Sequence, residues 1–144
     1  MRILPYLVAA FFGARSSFID LRQYRLPNKY SAIIFLAACM ANGFSQVGEN
    51  CILTLTSYLL ILILVRGNLG LGDVKFAGAC SGFLPRDLSL IASFLLVTWI
   101  FGSVHLVVIR SRYGMWPKKI ALGPAIYLAT IALLGARWAP SLSQ

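Results

Sequence analysis

The chain is a succession of apolar runs broken by short polar links. Six runs stand out, at roughly 3–20, 31–47, 51–65, 74–84, 88–109 and 120–138. None of them alternates apolar and polar residues with the period of a strand. Lipid admits only helices or closed barrels, because every backbone polar group has to be satisfied within the structure. The pattern therefore predicts an all-α fold: a polytopic membrane protein built as a six-transmembrane-helix bundle, with residues 1–144 forming one integral-membrane domain. The fourth run is short. From Asp73 to Leu84 a helix rises only about 16 Å, against a hydrocarbon core of about 30 Å. Asp73 then lies below the inner surface and has to face a wet crevice or the bundle interior. Asp20 ends a longer run near the inner interface, and helix tilt or local thinning of the bilayer would bring the two to one depth.

Composition agrees with the pattern. The chain is 59% hydrophobic and 12% charged, with a mean hydropathy of +0.80, about half the share of charge found in soluble domains. Arg2 and the apolar stretch after it imitate a secretory signal peptide. That stretch continues unbroken to Asp20, however, and cleavage would remove the helix carrying it. No internal repeat or low-complexity tract interrupts the runs.

Charge adds an orientation. The net charge of +9 does not imply a nucleic-acid partner, because the basic residues sit in short links between apolar runs. Segments 21–30, 66–75 and 110–119 hold nine of the thirteen Lys and Arg residues: Arg22, Arg25, Lys29, Arg66, Lys75, Arg110, Arg112, Lys118 and Lys119. The opposite links hold Glu49, Arg86 and Asp87. The positive-inside rule then puts the basic links in the cytoplasm and both termini outside. Asp20 and Asp73 fall on the same, cytoplasmic, side. The basic residues read as a topology signal in contact with the lipid bilayer.

Candidate chemistry is concentrated in those two aspartates, since the chain has only four acidic residues. A carboxylate beside hydrocarbon is costly and marks a functional site by default. Two of them close together titrate as a pair and retain one proton. The ionised member can take a proton from water while the protonated member donates to a scissile amide. No cofactor or metal is called for: Cys39, Cys51 and Cys80 form no CxxC pair, and His105 is the single histidine. The neighbours suit a catalytic role. Gly70 and Gly72 clear space beside Asp73 for a substrate strand. Ser16 and Ser17 lie on the Asp20 face of the first helix, within reach of its carboxyl. Pro27 stops helix formation and extends Leu26, and Asn28 can cap the second helix. Lys75, two residues after Asp73, can bias which carboxyl keeps the proton.

With these residues in view, the chain resembles the type IV prepilin peptidases, membrane aspartic peptidases of the GxGD type. The first motif reads Ile19-Asp20 through Leu26-Pro27-Asn28. The second reads Gly70-Leu71-Gly72-Asp73-Val74-Lys75. A weaker third is Ala121-Leu122-Gly123-Pro124-Ala125, opening the last run. The resemblance covers about residues 5 to 135. It implies that Asp20 and Asp73 are the catalytic pair. It also implies an enzyme that removes a short basic leader from prepilin-like precursors at the cytoplasmic face of the bacterial inner membrane, the substrate's apolar helix staying in the bilayer. Larger members carry a cytoplasmic region with paired CxxC motifs and also N-methylate the product. This sequence shows no such motif and resembles the short, peptidase-only members, including those associated with Flp/Tad pili.

Other positions read more simply. Gly78-Ala79-Cys80-Ser81-Gly82 is a close-packing pattern for helices. His105 reads as an interior histidine, and Trp99, Trp116 and Trp138 as interfacial or packing residues. Arg15, an unexpected charge in the first run, either snorkels to the interface or pairs with a carboxyl of the site. A competing function, a proton-coupled transporter or channel using the same carboxylates, lacks the length and repeat symmetry common in that class.

Overall fold

A computed structural model describes residues 3–64, 70–114 and 121–138. These form six helices: α1 (Ile3–Gln23), α2 (Asn28–Asn42), α3 (Phe44–Leu64), α4 (Leu71–Ser81), α5 (Leu88–Tyr113) and α6 (Gly123–Trp138). Their number and order match the apolar runs. Three of them, α1, α3 and α5, are long and apolar enough to cross a membrane by length and composition. With 15, 11 and 16 residues, α2, α4 and α6 are shorter.

Local chemistry sets the breaks. α1 ends at Tyr24, whose backbone turns left-handed (φ 51°) while its N–H still bonds the carbonyl of Asp20 at 2.8 Å. Pro27 (φ −68°, ψ 120°) then leads into α2 without a side-chain cap. Asn28 is therefore the first helical residue and not the capping one, because proline already supplies the extended backbone that precedes a helix. The second and third runs also divide earlier than the hydrophobic pattern predicts. Gly43 takes a positive φ of 83° and donates to Cys39 at 2.9 Å, so the chain reverses there and residues 44–50 belong to α3. The pattern gives 44–47 to the second run and leaves 48–50 as a polar link, yet Asn50 is 1% exposed and donates to the carbonyls of Leu84 (2.8 Å) and Ser81 (3.3 Å). Asn50 thereby satisfies carbonyls that the end of α4 leaves open. Asp87 caps α5 by accepting from the Ser89 N–H at 2.8 Å, and Gly114 (φ 70°) closes it.

α4 is the centre of the bundle. It packs against α2, α3 and α6, while α1 packs on α2 and α6, and α5 on α6 and α3. From Val74 to Leu84 every residue but Lys75 is buried. The bundle is inverted relative to a water-soluble one. Leu4, Leu7, Met40, Ile63, Leu96 and Val107 face outward, while Ser16, Asp20, Asn50, Thr54, Ser81 and Thr98 are buried. Helices in lipid gain little from burying more hydrocarbon, so small residues that let backbones approach do the packing. Gly78 and Gly82 do so on α4. A Cβ on Gly78 would lie 3.1 Å from the Cys51 sulfur, and one on Gly82 would lie 2.8 Å from Val47 Cγ1 and 2.9 Å from Ala38 Cβ.

Gly82→Ala is expected to destabilise the bundle by about 1–3 kcal/mol through overpacking. Gly48→Ala, on α3 with open space around its Cβ position, should be neutral or stabilising by up to about 1 kcal/mol. Unfolding titrations in mixed micelles compare the two, and equal effects would contradict the packing described.

Candidate active site

Three helix ends meet around Asp20 and Asp73: the last turn of α1, the first turn of α4 and the first turn of α6. The contact is made by absent side chains. Gly72, one residue before Asp73, lies against Leu26, where an added Cβ would be 3.3 Å from Leu26 Cβ. Gly123 lies against both Asp20 and the same leucine, where an added Cβ would be 2.9 Å from Asp20 Oδ2 and 3.1 Å from Leu26 Cδ2. Leu26 is thus wedged between glycines of α4 and α6, and it draws the Leu-Pro-Asn segment onto the Gly-x-Gly-Asp segment.

Each carboxyl takes a backbone hydrogen bond at a helix start. Asp20, 3% exposed, accepts from the Gly123 N–H at 2.9 Å. Asp73, half-buried, accepts from the Gly70 N–H at 3.3 Å, while its own N–H donates to the Gly70 carbonyl at 3.0 Å. Free N–H groups at a helix N-terminus are good partners for an anion. The two carboxyls lie within electrostatic range of one another, and His105 of α5 is within range of Asp20. The two carboxyls have unlike settings, Asp20 buried and Asp73 partly open.

The other predicted site residues divide. Gly70 and Gly72 stand beside Asp73 as expected, but their space is filled from within the chain, by the Asp73 carboxyl at Gly70 and by Leu26 at Gly72. Pro27 is half-buried at the start of α2, whereas Asn28 and Lys75 are exposed and make no ion pair or side-chain bond among the described residues. Ser16 is fully buried one turn before Asp20, yet neither its hydroxyl nor that of Ser17 has a hydrogen-bond partner among the described residues. The expected bond to the carboxyl is absent because the backbone of α6 supplies the donor instead. Arg15 is exposed and lies over the ring of Tyr30, its guanidinium carbon 5.9 Å from the centroid. Glu49 pairs with Arg86. Among the described residues no group of three or more His, Cys, Asp or Glu could hold a metal ion. Arg66, Trp116, Lys118 and Lys119 lie outside the described residues.

Sequence reasoning missed the role of Gly123 as donor. Its signal was present in the Gly-Pro pair that opens α6, since a proline tolerated only in a first turn marks Gly123 as a helix start, where backbone N–H groups have no intrahelical partner.

The sequence profile of the type IV leader peptidase family matches residues 7–110 of the chain. No curated protein and no solved structure matches it significantly.

Gly123→Ala is expected to displace the Asp20 carboxyl from its buried bond, because the new methyl group would sit 2.9 Å from Oδ2. Carbodiimide labelling of the intact protein, read by peptide mass, should then modify Asp20 faster than in the wild type. An unchanged rate contradicts the contact.

Proposed function

The chain belongs to the type IV leader peptidase family, and from that premise we propose that Asp20 and Asp73 are the catalytic pair of a membrane-embedded aspartic endopeptidase. Family membership makes it a peptidase, and the apolar helices make it a membrane protein. The observation that carries the finer reading is the junction of the two motifs: Leu26 against Gly72, and Asp20 bonded to Gly123.

In the proposed reaction water lies between the carboxyls. The ionised member takes one proton from water as its oxygen attacks the scissile carbonyl carbon. The protonated member gives its proton to the carbonyl oxygen. The tetrahedral intermediate then collapses, the C–N bond breaks, and the amine leaves with a proton returned from the pair. One proton shared by two carboxyls suffices throughout.

The substrate class follows from the family and the setting. Pilin-like precursors present a short basic leader followed by an apolar helix. Exposed Arg22, Arg25 and Lys29 lie at the α1–α2 turn after Asp20, Lys75 lies in the first turn of α4 beside Asp73, and Arg110 and Arg112 end α5, which the alternation of helix directions brings to the same end of the bundle. The positive-inside rule places that end in the cytoplasm. The active site then lies where a cytoplasmic leader meets its membrane helix, in a six-span bundle of the bacterial inner membrane with both termini outside.

Co-expression with a prepilin-like precursor tests the reading. The wild type should yield a product lighter by the mass of the leader. Asp20→Asn and Asp73→Asn should each reduce cleavage by at least about a thousandfold, in line with loss of an essential acid or base, while both proteins still purify as folded species. Retained cleavage in either variant removes that residue from the mechanism. Ion flux in proteoliposomes without any processing would overturn the peptidase chemistry proposed for the site.

A further inference from the structure

One unspent donor lies at the level of Asp73. α3 and α4 run antiparallel, in a register set by three contacts. The Ser81 hydroxyl approaches the Asn50 carbonyl at 3.3 Å, the Asn50 amide approaches the Ser81 carbonyl at 3.3 Å, and Gly78 lies on Cys51 and Leu55. Followed toward the start of α4, that register sets Tyr58 level with Asp73, and the two lie within electrostatic range. The Tyr58 side chain is fully buried, at 0% exposure. Its hydroxyl has no hydrogen-bond partner among the described residues, and neither does that of Thr54, one turn earlier on the same face. Thr98 of α5 lies close enough to act on the Tyr58 hydroxyl, but its own O–H is donated to the Phe94 carbonyl at 2.8 Å, and no bond of good geometry joins the two side chains.

A buried phenol without a partner is unfavourable, and phenylalanine would fill the same space without that cost. A hydroxyl retained there has an acceptor to meet. Asp73 supplies one. Its Oδ2 takes the long bond from Gly70, and its Oδ1 takes none among the described residues.

We propose that Tyr58 is a positioning residue for Asp73. Its O–H donates to the Asp73 carboxyl as that group leaves the Gly70 N–H to engage the water, and so fixes the carboxyl in its working orientation. Tyr58 touches neither the peptide nor the water. The proposal rests on the reading of Asp73 as a catalytic group.

The test uses full-length protein in detergent and a prepilin-like precursor, with Tyr58→Phe, Thr54→Val and Asp73→Asn assayed side by side. Tyr58→Phe should lower kcat for leader cleavage about tenfold, the effect of one hydrogen bond to a charged group, with KM within about twofold of the wild type. Its thermal midpoint should be unchanged or higher, since an unpaired hydroxyl is removed. Thr54→Val should keep the wild-type kcat. Full kcat in Tyr58→Phe beside an inactive Asp73→Asn overturns this proposal alone. A parallel fall of kcat and thermal midpoint in Tyr58→Phe also overturns it, by showing a structural bond. An equal loss in Thr54→Val overturns it by showing a general response to lost hydroxyls. Cleavage by Asp73→Asn overturns the reading of Asp73 beneath it.

Discussion

A carboxyl buried among apolar helices has to find a donor, and Asp20 finds one 103 residues away, in the backbone N–H of Gly123. Much of the site follows from that bond. It ties the last turn of α1 to the first turn of α6, and it leaves room for only a hydrogen at residue 123. Leu26 then fills the remaining space against Gly123 and reaches Gly72, which brings the start of α4 to the same place. Three segments far apart in the chain are assembled around one leucine and one carboxyl. A bond of this kind to a buried carboxyl is also hard to replace, because a displaced carboxyl has few alternative partners in the interior.

The same economy governs the rest of the bundle. Where every surface is apolar, hydrophobicity does not say which face of a helix meets which. Specific contacts have to do so, and in this fold they are small residues and buried polar groups. Gly13 receives the ring of Tyr127, whose hydroxyl donates to the Ala10 carbonyl at 2.9 Å, which fixes α1 against α6. Asn50 performs the corresponding task between α3 and the end of α4. Pairing through backbone carbonyls suits lipid, where the groups left open at helix ends have no water to turn to.

That logic also explains what the sequence could and could not reveal. The helices were legible because apolar runs bounded by charge, proline and glycine have one reading in lipid. Asp20 and Asp73 were legible because acids are so scarce in this chain. Helix faces were not legible: outward Leu7 and Phe11 and inward-packed Val8 and Phe12 of α1 are chemically alike, so periodicity carried no inside and outside. The start of α3 was misread for the converse reason. Residues 44–47 read as the end of the second run and 48–50 as a polar link, although Asn50 is a core residue by virtue of the carbonyls it bonds. The expected serine bond to Asp20 failed on a point of topology, since nothing in the order of residues says that the start of α6 arrives at that carboxyl first. Tyr58 was invisible as one of the chain's many aromatics, set within an apolar run. Only the register of α3 against α4 sets it apart.

On the proposed reading, the two carboxyls must differ, because one accepts a proton while the other gives one. The fold makes them differ by where it puts them. Asp20 lies in the last turn of α1, the end of a helix that disfavours negative charge, and is held there by the start of another helix. It is buried and fixed from both sides. Asp73 lies in the first turn of its own short helix, partly open, with a longer bond to the loop before it. A carboxyl held by a distant element moves only if the bundle moves, whereas one held by its own loop moves with a side-chain rotation. The asymmetry the chemistry requires is therefore built from helix order. An acid at the end of α1 needs α6 to hold it, and an acid at the start of α4 holds itself and stays free to turn toward substrate.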